Sequence, residues 1–153
     1  MPLRSPERRN WLNCVTGLGG MVLTLGSVSI ASGRTATPEP GRQRFMARAY
    51  EMRRRAIASG DQAFGAVVVK HGRVVGEGVS AVLTTPDPTA HGEMQAIRDA
   101  ARRLGSAKLA GCELYTTFRP CPMCETAAYW AGIERIFYGE AVTDGGAPRY
   151  RNC

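Results

Sequence analysis

The sequence predicts a domain of the α/β class behind an N-terminal segment of different composition. Between residues 45 and 139, runs with helical spacing of apolar residues alternate with short β-branched runs, and Gly or Pro separates most of them. The chain has 153 residues, of which 44% are hydrophobic and 22% are charged. This length and composition suit a globular domain that buries a substantial core.

The first part of this region predicts a helix followed by a hairpin. Apolar residues recur at helical spacing from Phe45 to Ile57, after a linker at 38–41. The helix is expected to end near Ser59-Gly60. Its arginines fit a solvated helix face better than a nucleic-acid contact. The strands of the predicted hairpin are 64–69 and 73–79.

The second part predicts two helices and two strands after a loop. The loop, 80–88, contains two prolines and few apolar residues. The predicted elements are a helix from Gly92 to Leu104, a strand from Cys112 to Phe118, a helix from Cys121 to Ala131 and a strand from Ile133 to Tyr138. The expected order is therefore α-β-β-α-β-α-β.

Two short segments, His91-Gly92-Glu93 and Pro120-Cys121-Pro122-Met123-Cys124, carry the candidate chemistry. A structural zinc ion normally takes four protein ligands, whereas a catalytic zinc takes three and leaves one position for water. We therefore predict that His91, Cys121 and Cys124 bind a catalytic Zn²⁺. Glu93 is left to transfer protons as a general acid-base. The pattern H-x-E followed by P-C-x-x-C is a known signature of zinc deaminases.

Two other interpretations of these cysteines stay open at this point. A structural zinc site would need a fourth ligand, for which Cys112 is available at the start of a predicted strand. A thiol-disulfide enzyme would explain C-x-x-C in an exported protein. That second interpretation leaves His91 and Glu93 without a role.

From 45 to 139 the chain resembles the cytidine deaminase superfamily. The segments 87–93 and 120–124 are most similar to its guanine deaminase branch and then to its tRNA adenosine deaminase branch, and 129–131 resembles the guanine deaminase helix. The resemblance implies a three-layer α/β/α fold with a mixed central sheet. It also implies a zinc ion where two helix N-termini face each other, and the release of ammonia from a nucleobase.

The resemblance to guanine deaminase implies a purine substrate, with guanine converted to xanthine. We expect Phe64 and Trp130 to offer flat apolar surfaces to the base, and Ser80 to occupy the position of a base-binding Asn. The alternatives are a deaminase of another nucleobase or nucleoside, of the adenine or cytidine type, and a degenerate zinc-binding protein of this fold with little activity.

Four departures from the family pattern predict a weaker or altered site. Gly92 replaces the usual Ala and is expected to loosen the helix by about 1 kcal/mol. Arg119 stands where the relatives have Glu, and Ser80 where they have Asn. After the last predicted strand only 140–153 remains, so we expect a fold truncated at the C-terminus with a more open site.

The net charge and the family resemblance predict the class of substrate and the oligomeric state. The formal net charge is +7, but residues 1–44 hold six Arg against two Glu, which leaves 14 basic against 11 acidic residues in 45–153. A groove that neutralises many phosphates usually has a larger excess. We therefore expect a small-molecule nucleobase as the substrate rather than nucleic acid. Members of the resembled family are usually oligomers, so a homodimer is expected.

Residues 1–37 predict an export signal and linker ahead of a CMP/dCMP-type deaminase domain at 38–153. Arg8-Arg9 precedes a charge-free run from Trp11 to Gly33, and 5–12 resembles a twin-arginine signal. Gly and Ser dilute the apolar run, so no stable membrane span is expected in the mature protein. An uncleaved anchor and a disordered extension are the alternatives. We expect a periplasmic protein, or a cytoplasmic one if the leader does not function.

Overall fold

Three helices and five strands form the part of the chain that the computed structural model describes, residues 40–150. They are α1 Pro40–Ala58, β1 Gly65–Lys70, β2 Arg73–Val79, α2 Gly92–Leu104, β3 Cys112–Thr116, α3 Pro122–Ala131, β4 Arg135–Tyr138 and β5 Thr143–Gly146. The predicted order of seven elements is confirmed, and β5 follows them. The predicted export signal at 1–37 lies outside the described residues.

The strands form one mixed sheet in the order β2-β1-β3-β4-β5. Strand β1 pairs antiparallel with β2 and β3, β3 pairs parallel with β4, and β4 pairs antiparallel with β5. The parallel pair needs a crossover, and α3 provides it. The mixed central sheet predicted from the family resemblance is confirmed.

Alternate residues of β1 face two different helix layers. Val67 and Val69 belong to a core cluster with residues of α1, whereas Ala66 and Val68 belong to a second cluster with residues of α2 and α3. A strand covered on both faces is apolar at nearly every position, because successive side chains point to opposite sides. This two-sided burial is the three-layer α/β/α architecture.

Glycines let the helices approach this sheet closely. A Cβ atom added at Gly78 would collide with the Gly92 carbonyl oxygen and with Ala96 of α2, and one added at Gly76 would lie 2.5 Å from the Ala96 carbonyl oxygen. On the other face, a Cβ at Gly65 would collide with the backbone of α1. The absence of side chains at these positions therefore sets how near α2 and α1 lie to β1 and β2.

Several element boundaries differ from the predictions by a few residues, and one strand was not predicted. Helix α1 begins at Pro40, inside the predicted linker, because proline needs no amide partner in the first turn of a helix. The assignment of 133–138 as the last strand was wrong. The sequence of β5, Thr-Asp-Gly-Gly, has little β propensity. Pairing with β4 and three hydrogen bonds from Arg135 to Asp144, of 2.8 to 3.3 Å, hold the strand in place.

None of the helices within residues 40–150 is both long and apolar enough to span a membrane.

The glycine contacts predict that Gly78→Ala will destabilise the fold. Overpacking a tight contact costs about 1–3 kcal/mol, and here the added methyl group meets backbone that cannot rotate away. Urea unfolding at equilibrium measures the change. The control is Gly41→Ala, since nothing lies within 4 Å of a Cβ at that helical position and Ala favours a helix by up to about 1 kcal/mol. Equal stability of the two variants would contradict the prediction.

Candidate metal centre and substrate cleft

The predicted ligands lie at the starts of two helices. His91 is the N-cap residue of α2 and Cys121 is that of α3, and both have an extended backbone. Neither side chain caps its own helix. Pro122 at the first helical position fixes the entry of the chain into α3, so both side chains are directed by the backbone and stay available for a ligand.

The ligand atoms of His91, Cys121 and Cys124 converge within 4.8 Å of one another. The Sγ atoms of Cys121 and Cys124 lie 3.7 and 3.6 Å from His91 Nδ1. Zn–S distances of about 2.3 Å and Zn–N distances of about 2.0–2.1 Å at a tetrahedral angle place sulfur and nitrogen roughly 3.6 Å apart. The three residues therefore have the spacing and the donor atoms that zinc requires.

Cys112 does not join this group, which argues against a structural four-ligand site. Among residues 40–150 the candidate metal group contains His91, Cys121 and Cys124 alone. Cys112 is buried in the core between the sheet and helices α2 and α3, and burial raises the pKa of its thiol. Three protein ligands are the number typical of a catalytic zinc ion.

Glu93 lies beside the metal group without belonging to it. Its side chain is buried, and the residue is 5% exposed. Thr116 Oγ1 donates a hydrogen bond of 2.9 Å to Glu93 Oε1, and Cys124 Sγ lies 3.7 Å from Glu93 Oε2. One carboxylate oxygen is thus held by the end of β3 while the other faces the metal group. Sequence reasoning missed Thr116, although a buried polar residue at the end of a strand is a usable signal.

The electrostatics of the group favour a bound cation. Burial raises the pKa of the Cys124 thiol, and the nearby Glu93 and Cys121 raise it further because negative groups close together oppose one another's ionisation. A divalent cation reverses this preference, since coordination deprotonates a thiol outright. The one-nitrogen, two-sulfur donor set is one that zinc accepts.

A small cleft of about 150 Å³ opens onto these residues. It is lined by Phe64, His91, Glu93, Phe118, Arg119 and Cys121. Phe64 lies at the cleft, as expected, and its ring packs edge to face against Phe118 at 5.4 Å between centroids. Pockets for drug-sized ligands usually measure about 300–1,000 Å³, so the size of this cleft suits a single flat ring system.

Ser80 does not reach the cleft. The residue is 1% exposed, and its hydroxyl donates a hydrogen bond of 2.9 Å to Asp61. The expectation that Ser80 binds the base is therefore corrected: the hydroxyl is shorter than the Asn it replaces, and its hydrogen already has a buried acceptor.

Asp61 is the hub of a hydrogen-bond network that was not predicted from the sequence. Its carboxylate accepts six hydrogen bonds, from the amides of Gln62, Val82, Leu83 and Thr84 and from the hydroxyls of Ser80 and Thr84. Burial opposes its ionisation, but these donors outweigh burial and hold the pKa of Asp61 far below its usual range. Asp61 therefore fixes the start of the loop that leads to His91.

Trp130 also lies away from the cleft of its own chain. The residue is 64% exposed, and its ring packs against Tyr129 and Tyr150 at centroid distances of 5.6 and 5.7 Å. It follows Cys124 by six positions, which is a rotation of about 240° around the helix axis. This rotation turns Trp130 away from the metal side of α3, so the expected indole wall is not present there.

The lowered pKa of Asp61 predicts a contribution to folding stability that is present at neutral pH and lost in acid. A carboxylate with a lowered folded pKa contributes stability above its unfolded pKa of about 3.9, and the contribution is lost as the pH falls toward the folded pKa. Asp61→Asn should therefore be less stable than the parent at pH 7, and the gap should narrow below about pH 4. Urea unfolding at several pH values measures it. An unchanged stability at pH 7 would refute the assigned role.

Comparisons with known proteins agree with this geometry. Residues 40–140 match the family model described as the cytidine and deoxycytidylate deaminase zinc-binding region. The guanine deaminase of Bacillus subtilis is 51% identical over 81 residues, which cover 53% of this chain and 52% of the relative. A tRNA-specific adenosine deaminase of Aquifex aeolicus is 40% identical over 98 residues, which cover 64% and 65% of the two chains. The chain thus matches about half to two thirds of the length of these relatives.

Solved structures give the same result. The crystal structure of the Bacillus subtilis guanine deaminase superposes with a TM-score of 0.61 and 44% identity, covering 63% of this chain and 62% of that one. A tRNA deaminase of A-to-I editing at the wobble position gives a TM-score of 0.61 at 38% identity, covering 63% and 70%. With the match of residues 40–140 to the zinc-binding region, these likenesses show that the chain belongs to the cytidine and deoxycytidylate deaminase family.

Proposed function

We propose that this chain is a zinc-dependent hydrolase that releases ammonia from a purine nucleobase and converts guanine to xanthine. One observation carries the proposal: the carboxylate of Glu93, held by Thr116, lies beside the three candidate zinc ligands at the buried side of a cleft that fits one ring system. A nucleobase that bears an exocyclic amine on an amidine-like carbon is the substrate class that this set of groups can hydrolyse.

The residues of the site have separate roles in metal binding and proton transfer. His91, Cys121 and Cys124 hold the zinc ion, which when bound lowers the pKa of water from about 16 to about 7. As the water oxygen bonds to the amine-bearing carbon, Glu93 accepts one proton and passes it to the adjacent ring nitrogen. Glu93 then carries the second proton, from the new hydroxyl group, to the leaving amine. Thr116 fixes Oε1, so Oε2 is the oxygen that carries the proton. The carbon–nitrogen bond breaks, a carbonyl group forms and ammonia departs.

The apolar wall of the cleft supports a flat substrate. Phe64 and Phe118 line one part of the cleft, and His91, Glu93 and Cys121 line another. Aromatic faces favour stacking on a base, which is worth about 1–3 kcal/mol. A purine ring held between this wall and the metal group presents its amine to Glu93. The similarity to the Bacillus subtilis guanine deaminase supports guanine as that purine.

A second candidate is adenosine deamination in tRNA, because a tRNA-specific adenosine deaminase is 40% identical over 98 residues. Against it stands the modest excess of 14 basic over 11 acidic residues in 45–153, since a protein that grips an RNA backbone usually carries more positive charge. Ammonia release from guanine, adenine, cytidine and a tRNA anticodon stem-loop separates the two. Faster turnover of the stem-loop than of guanine would replace our proposal.

We expect the purified protein to bind one zinc ion per chain. Cys121→Ser or Cys124→Ser should lower the zinc content sharply and destabilise the protein, because the metal contributes folding free energy. Elemental analysis with a protein assay measures the stoichiometry. Cys112→Ser is the matched control, since this cysteine lies outside the ligand group, and it should keep its zinc. Full zinc in the double Cys121, Cys124 variant would disprove the site.

Glu93→Gln should retain zinc and lose guanine turnover by about 10²–10⁴-fold, the usual size of a general acid-base contribution. Glu140→Gln, at an exposed position, is the control and should turn over guanine like the parent. The measurement pairs ammonia release with elemental analysis. Unchanged activity would rule out the proton transfer by Glu93, and loss of zinc would make this residue a ligand instead.

We also propose that the protein is exported, on the evidence of Arg8-Arg9 and the apolar run that follows them. These residues lie outside the described part of the structure. Replacing both arginines by lysine should retain the precursor in the cytoplasm, because the twin-arginine machinery reads that pair. Cell fractionation and N-terminal sequencing measure the outcome. Export of the Lys-Lys variant at the parental level would contradict the proposal.

A further inference from the structure

Arg119 is a cation at the cleft that the proposed proton transfers do not use. It lines the 150 Å³ cleft together with His91 and Glu93, and it also lines a neighbouring cavity of about 210 Å³. Its side chain is exposed, whereas Glu93 is buried. Arg119 therefore lies at the open side of the cleft, and the metal group lies at the buried side.

The other charged residues around the neighbouring cavity already have partners. Arg149 Nε lies 3.8 Å from Glu125 Oε1, and Asp144 Oδ2 lies 2.8 Å from Arg135 Nη2. By contrast, the ion pairs formed within residues 40–150 do not include Arg119. Its guanidinium is thus available to a molecule bound in the cleft.

The guanidinium group selects a particular edge of a ring. Its N–H donors lie in one plane and form a fork that matches two neighbouring acceptors. In guanine, O6 and N7 are such a pair, and arginine binds them with two hydrogen bonds. The amine that guanine would lose is attached to C2, on the opposite side of the six-membered ring. A guanine that presents C2 to Glu93 therefore turns O6 away from the metal group.

We infer that Arg119 is a specificity-determining residue that donates two hydrogen bonds to O6 and N7 of a 2-amino-6-oxopurine. The inference rests on the proposed function and specifies which edge of the base Arg119 binds. An adenine ring would have to present C6 to Glu93, and the opposite side of its six-membered ring then offers N3 as a single acceptor. Arg119 thus favours guanine over adenine at the same metal centre.

The test compares guanine with two analogues that each lack one acceptor: 7-deazaguanine lacks N7, and 2-aminopurine lacks O6. The zinc-loaded full chain is assayed beside Arg119→Ala, Arg119→Lys and the control Arg149→Gln, which changes the arginine of the neighbouring cavity. For Arg119→Ala, kcat/KM for guanine should fall about 5- to 150-fold, the discrimination that a bidentate arginine pair gives. Its kcat/KM for the analogues should fall by a smaller factor, about 2- to 12-fold, because each analogue keeps one of the two acceptors and has only one hydrogen bond to lose.

The lysine variant separates charge from geometry. Arg119→Lys keeps the positive charge and loses the planar fork, so it should lose the preference for guanine over the analogues. The control Arg149→Gln should keep that preference. A lysine variant with the full preference, or an alanine variant in which guanine and both analogues fall equally, would overturn the assignment to O6 and N7.

A binding measurement keeps this inference distinct from the proposed function. Calorimetric titration of guanine into zinc-loaded Glu93→Gln, with and without Arg119→Ala, requires no turnover. A Kd raised at least about fivefold by Arg119→Ala supports the inference even if the parent releases no ammonia, which would refute the proposed function alone. Guanine turnover by the parent with an unchanged Kd in the Arg119→Ala background would refute the inference and leave the proposed function standing.

Discussion

The close approach of α2 to the sheet is the constraint on which the site depends. Gly78 and Gly76 leave room for the backbone of α2, and a Cβ atom at Gly92 would lie only 3.1 Å from Gly65 Cα. Packed interiors adopt discrete arrangements and do not deform freely, so this contact fixes the start of α2. Gly92 thus has a packing role, which the expectation of a loosened helix did not include. His91 and Glu93 take their positions from this helix start.

The end of β3 also positions the residues of the site. Thr116 holds Glu93, and the next residue, Thr117, exchanges hydrogen bonds with Gly65: the Thr117 amide donates to the Gly65 carbonyl at 3.1 Å, and the Gly65 amide donates to Thr117 Oγ1 at 3.3 Å. This pair of bonds brings Phe64 and Phe118 side by side. The Glu93 carboxylate and the apolar wall of the cleft are therefore positioned by two adjacent residues, Thr116 and Thr117, at the end of β3.

Two polar residues near the site, Ser80 and Arg119, lie in different surroundings. The Ser80 hydroxyl donates a hydrogen bond to Asp61 and helps to anchor the loop that leads to His91. Arg119 is exposed at the cleft. Ser80 therefore offers no hydrogen bond to a base, whereas the guanidinium of Arg119 supplies donors at the open side of the cleft.

The sequence alone predicted the order of the first seven elements, the three residues of the metal group and the neighbouring Glu93, because all of these are encoded locally. Periodicity of 2 or 3.6 identifies strands and helices, and His91, Glu93, Cys121 and Cys124 lie within the first turns of two helices. Only the tertiary structure decided the places of Trp130, Ser80, Asp61, Thr116 and β5. Each of these depends on a partner distant in sequence or on the rotation of a helix face, and local spacing carries no information about either.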